Sequence, residues 1–232
     1  MIKKGFTIAE LILVIAIIGI LFGIAGNTYR NQRQRYDFTD SQQQILSLIN
    51  TARNYATTSR ATYDKNKVDN PATPNDERLY IPPEGYGVSI ERATKKFVLF
   101  ANTKVDGNSI NQYDTGAGGD VVEETYTLPN ATVFDSLLQP RSSTGLSKAV
   151  IIFRPPLAEV TITDNAVPTL AILNELTLGL YSAETPFIAQ IGTDGEPVKD
   201  EGGKVIMIPP ETAKRYITIS KVAGFPELII GK

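Results

Sequence analysis

The chain has 232 residues and a formal net charge of −2, enough for one ordinary domain with an appendage and no general case for nucleic acid or acidic ligands. It contains no Cys and no His, so this sequence offers no disulfide framework, no thiolate zinc site and no Ser-His-Asp triad. We therefore expect a protein that is not an enzyme and carries no cofactor, with 42% apolar residues available for a core.

The N-terminal segment combines a short basic start with a long apolar run. Lys3, Lys4 and Gly5 precede residue 6, and residues 11–26 carry no charge. A helix of about 20 apolar residues crosses a bilayer, so we predict a transmembrane helix over residues 6–26. Glu10 is the only charged residue between residues 6 and 26. An acid near the centre of such a helix raises the free energy of membrane insertion by about 2.5–3.5 kcal/mol.

Two ordinary explanations of this segment stay open from the residues alone. A secretory signal peptide accounts for the lysines, but its apolar core is usually about 7–15 residues long, and Glu10 argues against it. A plain membrane anchor accounts for the apolar run and leaves Glu10 unexplained. Its orientation stays open, because basic residues lie on both sides of the run, at Lys3, Lys4, Arg30, Arg33 and Arg35.

The same segment resembles the N-terminus of the type IV pilins and type II secretion pseudopilins. The match consists of a basic leader that ends in Gly5, then Phe6, Thr7 and Glu10 at their fixed spacing, and then a continuous apolar helix. The resemblance implies that a prepilin peptidase cleaves after Gly5 and that the new amino terminus on Phe6 is N-methylated. It also implies that the chain assembles into a filament with other pilin or pseudopilin subunits on an assembly platform.

The resemblance gives Glu10 a role in subunit assembly. In a bundle of apolar helices its carboxylate is able to pair with the amino terminus of a neighbouring subunit. Two opposite charges buried in contact cost much less than one charge buried alone, so the pair favours one axial register. The alternative is that Glu10, which lies near the start of the helix, extends its carboxylate to the membrane surface.

The resemblance also implies where the protein resides. We expect a single-pass protein of the cytoplasmic (inner) membrane with its C-terminal domain outside the cytoplasm, and later a periplasmic or extracellular filament. The biological role of that filament, whether adhesion, motility, secretion or DNA uptake, stays open, as does the choice between a major and a minor subunit.

The apolar pattern changes after residue 26 and indicates an amphipathic helix. Between residues 45 and 56 the apolar side chains recur every three or four positions, which places them on one stripe of a helix: Ile45, Leu48, Ile49, Ala52, Tyr55 and Ala56. We therefore predict a leader over residues 1–5, a helix over 6–60 and a globular β domain over 61–232. The predicted fold class is α+β: a long N-terminal helix, membrane-spanning in its first half and amphipathic in its second, packed on a C-terminal antiparallel β-sheet domain.

Short alternating segments separated by turn residues predict the strands of this domain. They are residues 86–90, 96–101, 121–128, 131–134, 148–153, 159–163, 176–181, 187–191, 204–208, 215–220 and 227–230. Several of them also resemble the H-type minor pseudopilins and their DNA-uptake relatives: residues 85–88, 97–102, 151–156 and 217–224, together with helix residues 51–56. The stretch 164–204 resembles them least.

Two charged segments invite binding hypotheses. The acid-rich residues 193–203 lack the spacing of an EF-hand, so we expect a solvated loop there and no metal. Basic residues near the C-terminus are the basis of the alternative function, a minor tip pilin that binds DNA or another ligand: Lys214, Arg215, Lys221 and Lys232.

Overall fold

The computed structural model describes residues 8–63, 80–103, 111–114, 119–138, 145–164, 172–183, 185–193, 195–200, 202–222 and 225–230. In these ranges a helix of 50 residues, α1 (Ile8–Thr57), comes before a set of antiparallel strands. The strands are β1 (Thr62–Tyr63), β2 (Tyr80–Ile81), β3 (Gly85–Glu91), β4 (Lys96–Asn102), β5 (Val121–Thr127), β6 (Thr132–Leu138), β7 (Lys148–Arg154), β8 (Glu159–Thr163), β9 (Ile172–Leu173), β10 (Glu175–Ser182), β11 (Ile188–Ala189), β12 (Met207–Ile208), β13 (Arg215–Ser220) and β14 (Pro226–Ile230). A 3-10 helix, Glu211–Ala213, precedes β13.

The strands form two extended sheets and two small ribbons. The larger sheet has six strands in the order β5-β4-β3-β7-β8-β9, and the second has four in the order β14-β13-β10-β6. The ribbons are β1-β2 and β11-β12. The β3-β4 and β7-β8 hairpins follow from alternating segments joined by short polar or Pro-containing turns.

The C-terminal half of α1 packs against both sheets. Its stripe residues Ile45, Leu48, Ile49, Ala52 and Ala56 are buried, and Tyr55 is partly buried beside them. They share one core with inward side chains of the six-stranded sheet, such as Val88 and Ile151, and of the four-stranded sheet, such as Leu178 and Ile217. Burying each large aliphatic side chain contributes about 1.5–3 kcal/mol, so this stripe holds the helix in place.

The outer face of the six-stranded sheet is also covered. Phe100, Val150 and Ile152 form a second buried cluster, with the Tyr113 ring 4.8 Å from the Phe100 ring. Gly87 on β3 makes room for that cluster, since a Cβ there would lie 2.6 Å from Phe100 Cζ and 2.7 Å from the Ile151 carbonyl oxygen. Both faces of β3 are therefore buried, which explains why its residues are almost uniformly inaccessible.

A Schellman arrangement ends α1 and fixes its last turn. Ser59 has a positive φ of 47°, its N–H donates to the Ala56 carbonyl, and the Arg60 N–H donates to the Tyr55 carbonyl. The buried Tyr86 hydroxyl then donates to the Arg60 carbonyl at 3.1 Å. Burial, together with the charge of Glu123, raises the pKa of Tyr86 to about 12, so the hydroxyl keeps its proton for this bond.

The predicted membrane span is wrong. Within the part of the chain that the structure describes, no helix has both the length and the apolar character needed to cross a membrane. This finding overturns the transmembrane assignment of residues 6–26 and, with it, the single-pass inner-membrane localisation. Residues 6 and 7 of the predicted span lie outside the described residues.

The predicted α+β fold class, a membrane-spanning helix packed on an antiparallel β-sheet domain, is wrong in its helix, because no described helix could span a membrane. The described strands divide between several antiparallel sheets. After β5 in the six-stranded sheet, the turn at Pro129 carries the chain into the four-stranded sheet as β6. Alternating apolar residues specify which face of a strand is buried but not which strands lie beside it. The sequence pattern therefore does not show which strands belong to which sheet. The predicted strands 187–191 and 204–208 contract to the two-residue β11 and β12.

We predict that Ile49→Ala destabilises the docking of α1 on the sheets. Removing this fully buried side chain leaves a cavity and should lower the free energy of unfolding by about 2–5 kcal/mol. Denaturant unfolding followed by circular dichroism measures the change. The matched control is Gln44→Ala on the exposed side of the same helix, expected to stay within about 0.5 kcal/mol. Equal effects from the two variants would contradict the docking role of the stripe.

Candidate assembly surface

The N-terminal half of α1 exposes an apolar surface that the β sheets do not reach. Eleven large apolar side chains between Ile8, 80% exposed, and Phe22, 75% exposed, are accessible: Ile8, Leu11, Ile12, Leu13, Val14, Ile15, Ile17, Ile18, Ile20, Leu21 and Phe22. They surround the helix instead of following one stripe. A helix that is apolar all round is normally covered by other apolar surface, so this segment is the strongest candidate for an assembly surface.

Glu10 lies in the first turn of α1, on the exposed part of the helix and among these apolar side chains. An acid in the first turn is stabilised by the positive end of the helix dipole, typically by about 0.3–1 kcal/mol. Farther along, Gly19 and Gly23 leave the helix surface without a side chain. Apart from the neighbouring backbone of α1 itself, a Cβ at either position would meet no described atom within 4 Å. Another helix is therefore able to approach the backbone closely at these two positions.

The predicted cleavage residues Gly5 and Phe6 and the leader lysines Lys3 and Lys4 lie outside the described residues.

Two of the four basic residues suggested for DNA binding, Lys214 and Arg215, are engaged within the chain, whereas Lys221 is exposed and Lys232 lies outside the described residues. Lys214 Nζ contacts Glu211 Oε1 at 2.7 Å and Asp135 Oδ2 at 3.4 Å, and its side chain is only 13% exposed. Burial lowers the pKa of Lys214, but Glu211 and Asp135 outweigh this effect and the pKa is raised. Arg215 Nη1 donates to the backbone carbonyls of Thr212 and Lys214. These contacts leave little positive charge there for a phosphate backbone.

Sequence reasoning missed the network around Lys214. Tyr216 Oη donates to Glu211 Oε2 at 2.6 Å, while Lys214 holds the other carboxylate oxygen. Burial and this hydrogen bond raise the pKa of Tyr216 to about 12. The network ties the 3-10 helix to β13 and, through Asp135, to β6. The spacing of three between Glu211 and Lys214 was the available signal, but no pattern indicated Asp135.

The acid-rich segment 193–203 is organised as a tight turn in its described part. Asp200 Oδ1 accepts hydrogen bonds from the backbone N–H groups of Gly202 and Lys204, and Gly203 adopts a positive φ of 78°. Among the described residues, no group of three or more potential metal ligands comes together. Asp194 and Glu201 lie outside those residues.

Comparison with known proteins adds no relative. No protein-family model, no curated protein and no solved structure matches this chain. The functional assignment therefore rests on the residues themselves and on the surface that α1 exposes.

We predict that the Glu211 network contributes stability that disappears in acid. Hydrogen bonds from Lys214 and Tyr216 lower the pKa of Glu211 below its usual 4.5. A lowered folded-state pKa means that the contribution is fully present above about pH 4.5 and is lost as the pH falls through the folded value. Glu211→Gln should therefore lower Tm at pH 7 and flatten its fall below pH 5.

The control for this experiment is Glu227→Gln on the exposed edge strand β14, which should leave the pH profile of Tm unchanged. Calorimetric scans between pH 3 and pH 7 measure both variants. The same profile for Glu211→Gln and the parent chain would contradict a stabilising role of the carboxylate.

Proposed function

We propose that this protein is a structural subunit of a helical filament of the type IV pilus or type II secretion pseudopilus kind. The observation that carries the proposal is the exposed apolar half of α1, which continues outward from a helix whose other half is buried against the sheets. Copies of the same helix cover such a surface when they bundle in a filament core. The β sheets then form the coat around that core.

A filament follows when the contacts between copies do not close on themselves. An apolar helix that binds a different face of its neighbour makes a heterologous contact, and repeating that contact with a rise generates an open helix. Gly19 and Gly23 support close helix packing in this bundle, because small residues let backbones approach each other. The exposed side chains of residues 8–22 supply the buried area.

Glu10 sets the register between neighbouring helices in this proposal. Prepilin peptidase cleaves after Gly5 and leaves a positively charged, N-methylated amino terminus on Phe6. Glu10 of a neighbouring copy pairs with that charge inside the apolar bundle. The pair is favourable in one register, because any other register leaves a buried charge without its counter-charge.

Mass spectrometry of the mature N-terminus tests the processing step. We expect a chain that begins at N-methylated Phe6 when the protein is produced together with a prepilin peptidase, and an uncut chain without it. A mature chain that begins near Ala25, or an uncut chain in the presence of the peptidase, would show that the segment is a secretory signal or a plain apolar helix.

Substitution of Glu10 tests the assembly step. Glu10→Ala leaves the amino terminus of the neighbour without its counter-charge, and breaking a buried pair in this way costs about 3–5 kcal/mol. We therefore expect at least a roughly tenfold loss of subunit incorporation into sheared filaments, measured by quantitative immunoblotting. Asp40→Ala, which removes an exposed acid farther along α1, should assemble normally. Unchanged incorporation of Glu10→Ala would remove Glu10 from the mechanism.

A further inference from the structure

A cavity of about 430 Å³ opens near the C-terminal end of α1. Its walls come from α1, from the turn between β7 and β8, and from the turn that follows β13. Two apolar side chains at its edge are almost fully accessible: Leu157 is 87% exposed and Val222 is 97% exposed. We call this site the basic pocket, and its relevant residues are Arg53, Arg154, Leu157, Glu159, Lys221 and Val222.

The basic pocket combines apolar edges with excess positive charge. The Arg53 guanidinium lies 3.7 Å from the centre of the exposed Phe225 ring, and the Lys221 side chain is exposed. Among the described residues, neither of these two cations contacts a carboxylate. Arg154 adds a third cation, which Thr161 and Asn111 orient through hydrogen bonds to its guanidinium. Arg154 lies opposite the single acid of the pocket, Glu159, in the β7-β8 pair, so the charges of Arg53 and Lys221 favour an acidic, partly apolar partner.

The chain itself carries a segment with the complementary character. Residues 183–210, which we call the acidic finger, contain five acids and two lysines. Its described part exposes the acids Glu196 and Asp200. It also exposes a group of large apolar side chains that the sheets leave uncovered: Phe187, Ile188, Ile191 and Met207. Such a patch marks a contact with another surface.

The register of the four-stranded sheet places the finger and the pocket at opposite ends. Glu175 at the start of β10 pairs with Ser220, the neighbour of Lys221 in the basic pocket. Ser182 at the end of β10 pairs with Thr132 of β6, and the acidic finger begins at the next residue. The eight residues of β10 span about 25 Å, and none of the described finger residues lines the pocket of its own chain.

The finger end and the pocket end of the sheet are also separated along the axis of α1. Ser41 Oγ lies 3.1 Å from Thr132 Oγ1 at the finger end of the sheet, while Arg53 lies over Phe225 at the pocket end. Arg53 follows Ser41 by twelve positions, which corresponds to about 18 Å along the helix. In copies stacked along their helices, the finger end of one copy therefore faces the pocket end of the next.

We infer that the acidic finger of one copy docks in the basic pocket of the next copy along the filament. Carboxylates of the finger pair with Arg53 and Lys221, and its exposed apolar side chains cover Leu157 and Val222. The contact is heterologous and open-ended, as a filament requires. This inference rests on the proposed function and adds the surface that joins the coat domains.

Disulfide cross-linking tests this contact in the full-length chain, because the sequence contains no Cys of its own. The chain that carries both Ile191→Cys and Val222→Cys, produced under conditions that give filaments and oxidised with copper phenanthroline, should form a ladder of dimers, trimers and higher species. Chains that carry one substitution each, mixed before assembly, should stop at dimers. The matched control replaces Val222→Cys by Val122→Cys, an exposed valine on the edge strand β5, and should give no ladder.

A charge reversal tests the electrostatic part. Arg53→Glu in the double-cysteine chain should lower the yield of the ladder at least about tenfold, because it places an acid opposite the acidic finger. Arg92→Glu, an exposed arginine on the β3-β4 turn, should leave the yield unchanged. A ladder that Arg53→Glu does not reduce would overturn the role of charge in this contact.

The remaining outcomes separate this inference from the proposed function. Filaments visible by electron microscopy without a ladder, or with an equal ladder from the Val122→Cys control, would overturn the finger-to-pocket contact and leave the filament proposal standing. A Val222→Cys product with a different protein, in place of the ladder, would also overturn it. Failure of the parent chain to form filaments together with its prepilin peptidase would reject both.

Discussion

The described sheets cover only one half of α1, and the rest of the described structure depends on this constraint. From residue 41 onward, small and aliphatic side chains on one stripe of α1 are buried by two sheets. Before residue 23, the exposed side chains other than Glu10 are apolar on every side of the helix, and the described sheets do not reach them. Apolar area of this size costs free energy in water, and no described part of the chain covers it, so we propose a partner from another copy.

The fixed end of α1 decides how the exposed half is presented. Arg60 lies over the Tyr55 ring at 4.0 Å and 3.5 Å from Glu123, and its carbonyl accepts the Tyr86 hydrogen bond. These contacts join the last turn of the helix to strands β3 and β5. Because the helix is bound at this end and along its stripe, the direction of the apolar half is set by the sheets, as are the positions of the basic pocket and the acidic finger.

The sequence predicted local features far better than their arrangement. The spacing of Ile45, Leu48, Ile49 and Ala52 was enough to identify a buried stripe, because helical periodicity is a local property. The assignment of β6 to a different sheet from β5 depends on long-range pairing, which no local pattern encodes. The same limit hid the contact between Lys214 and Asp135, 79 positions apart, so a lysine read as a DNA ligand proved to be an internal ion-pair partner. The membrane span is corrected by the structure itself, since no described helix is long and apolar enough to cross a membrane.

The proposed filament needs two kinds of contact, and in that proposal they lie at separate places on the chain. Apolar helix surfaces adhere strongly but tolerate sliding, because the hydrophobic effect depends on area and has no direction. Charged contacts are weaker at an exposed surface, yet they penalise a wrong register through like-charge repulsion. In the proposed filament, the pairing of Glu10 would penalise a wrong register in the core. The contact between the acidic finger and the basic pocket would do the same in the coat. In the proposed filament, one restraint in the core and one in the coat would together fix the rise and the rotation of a neighbouring subunit, whereas a single apolar interface would leave it able to slide.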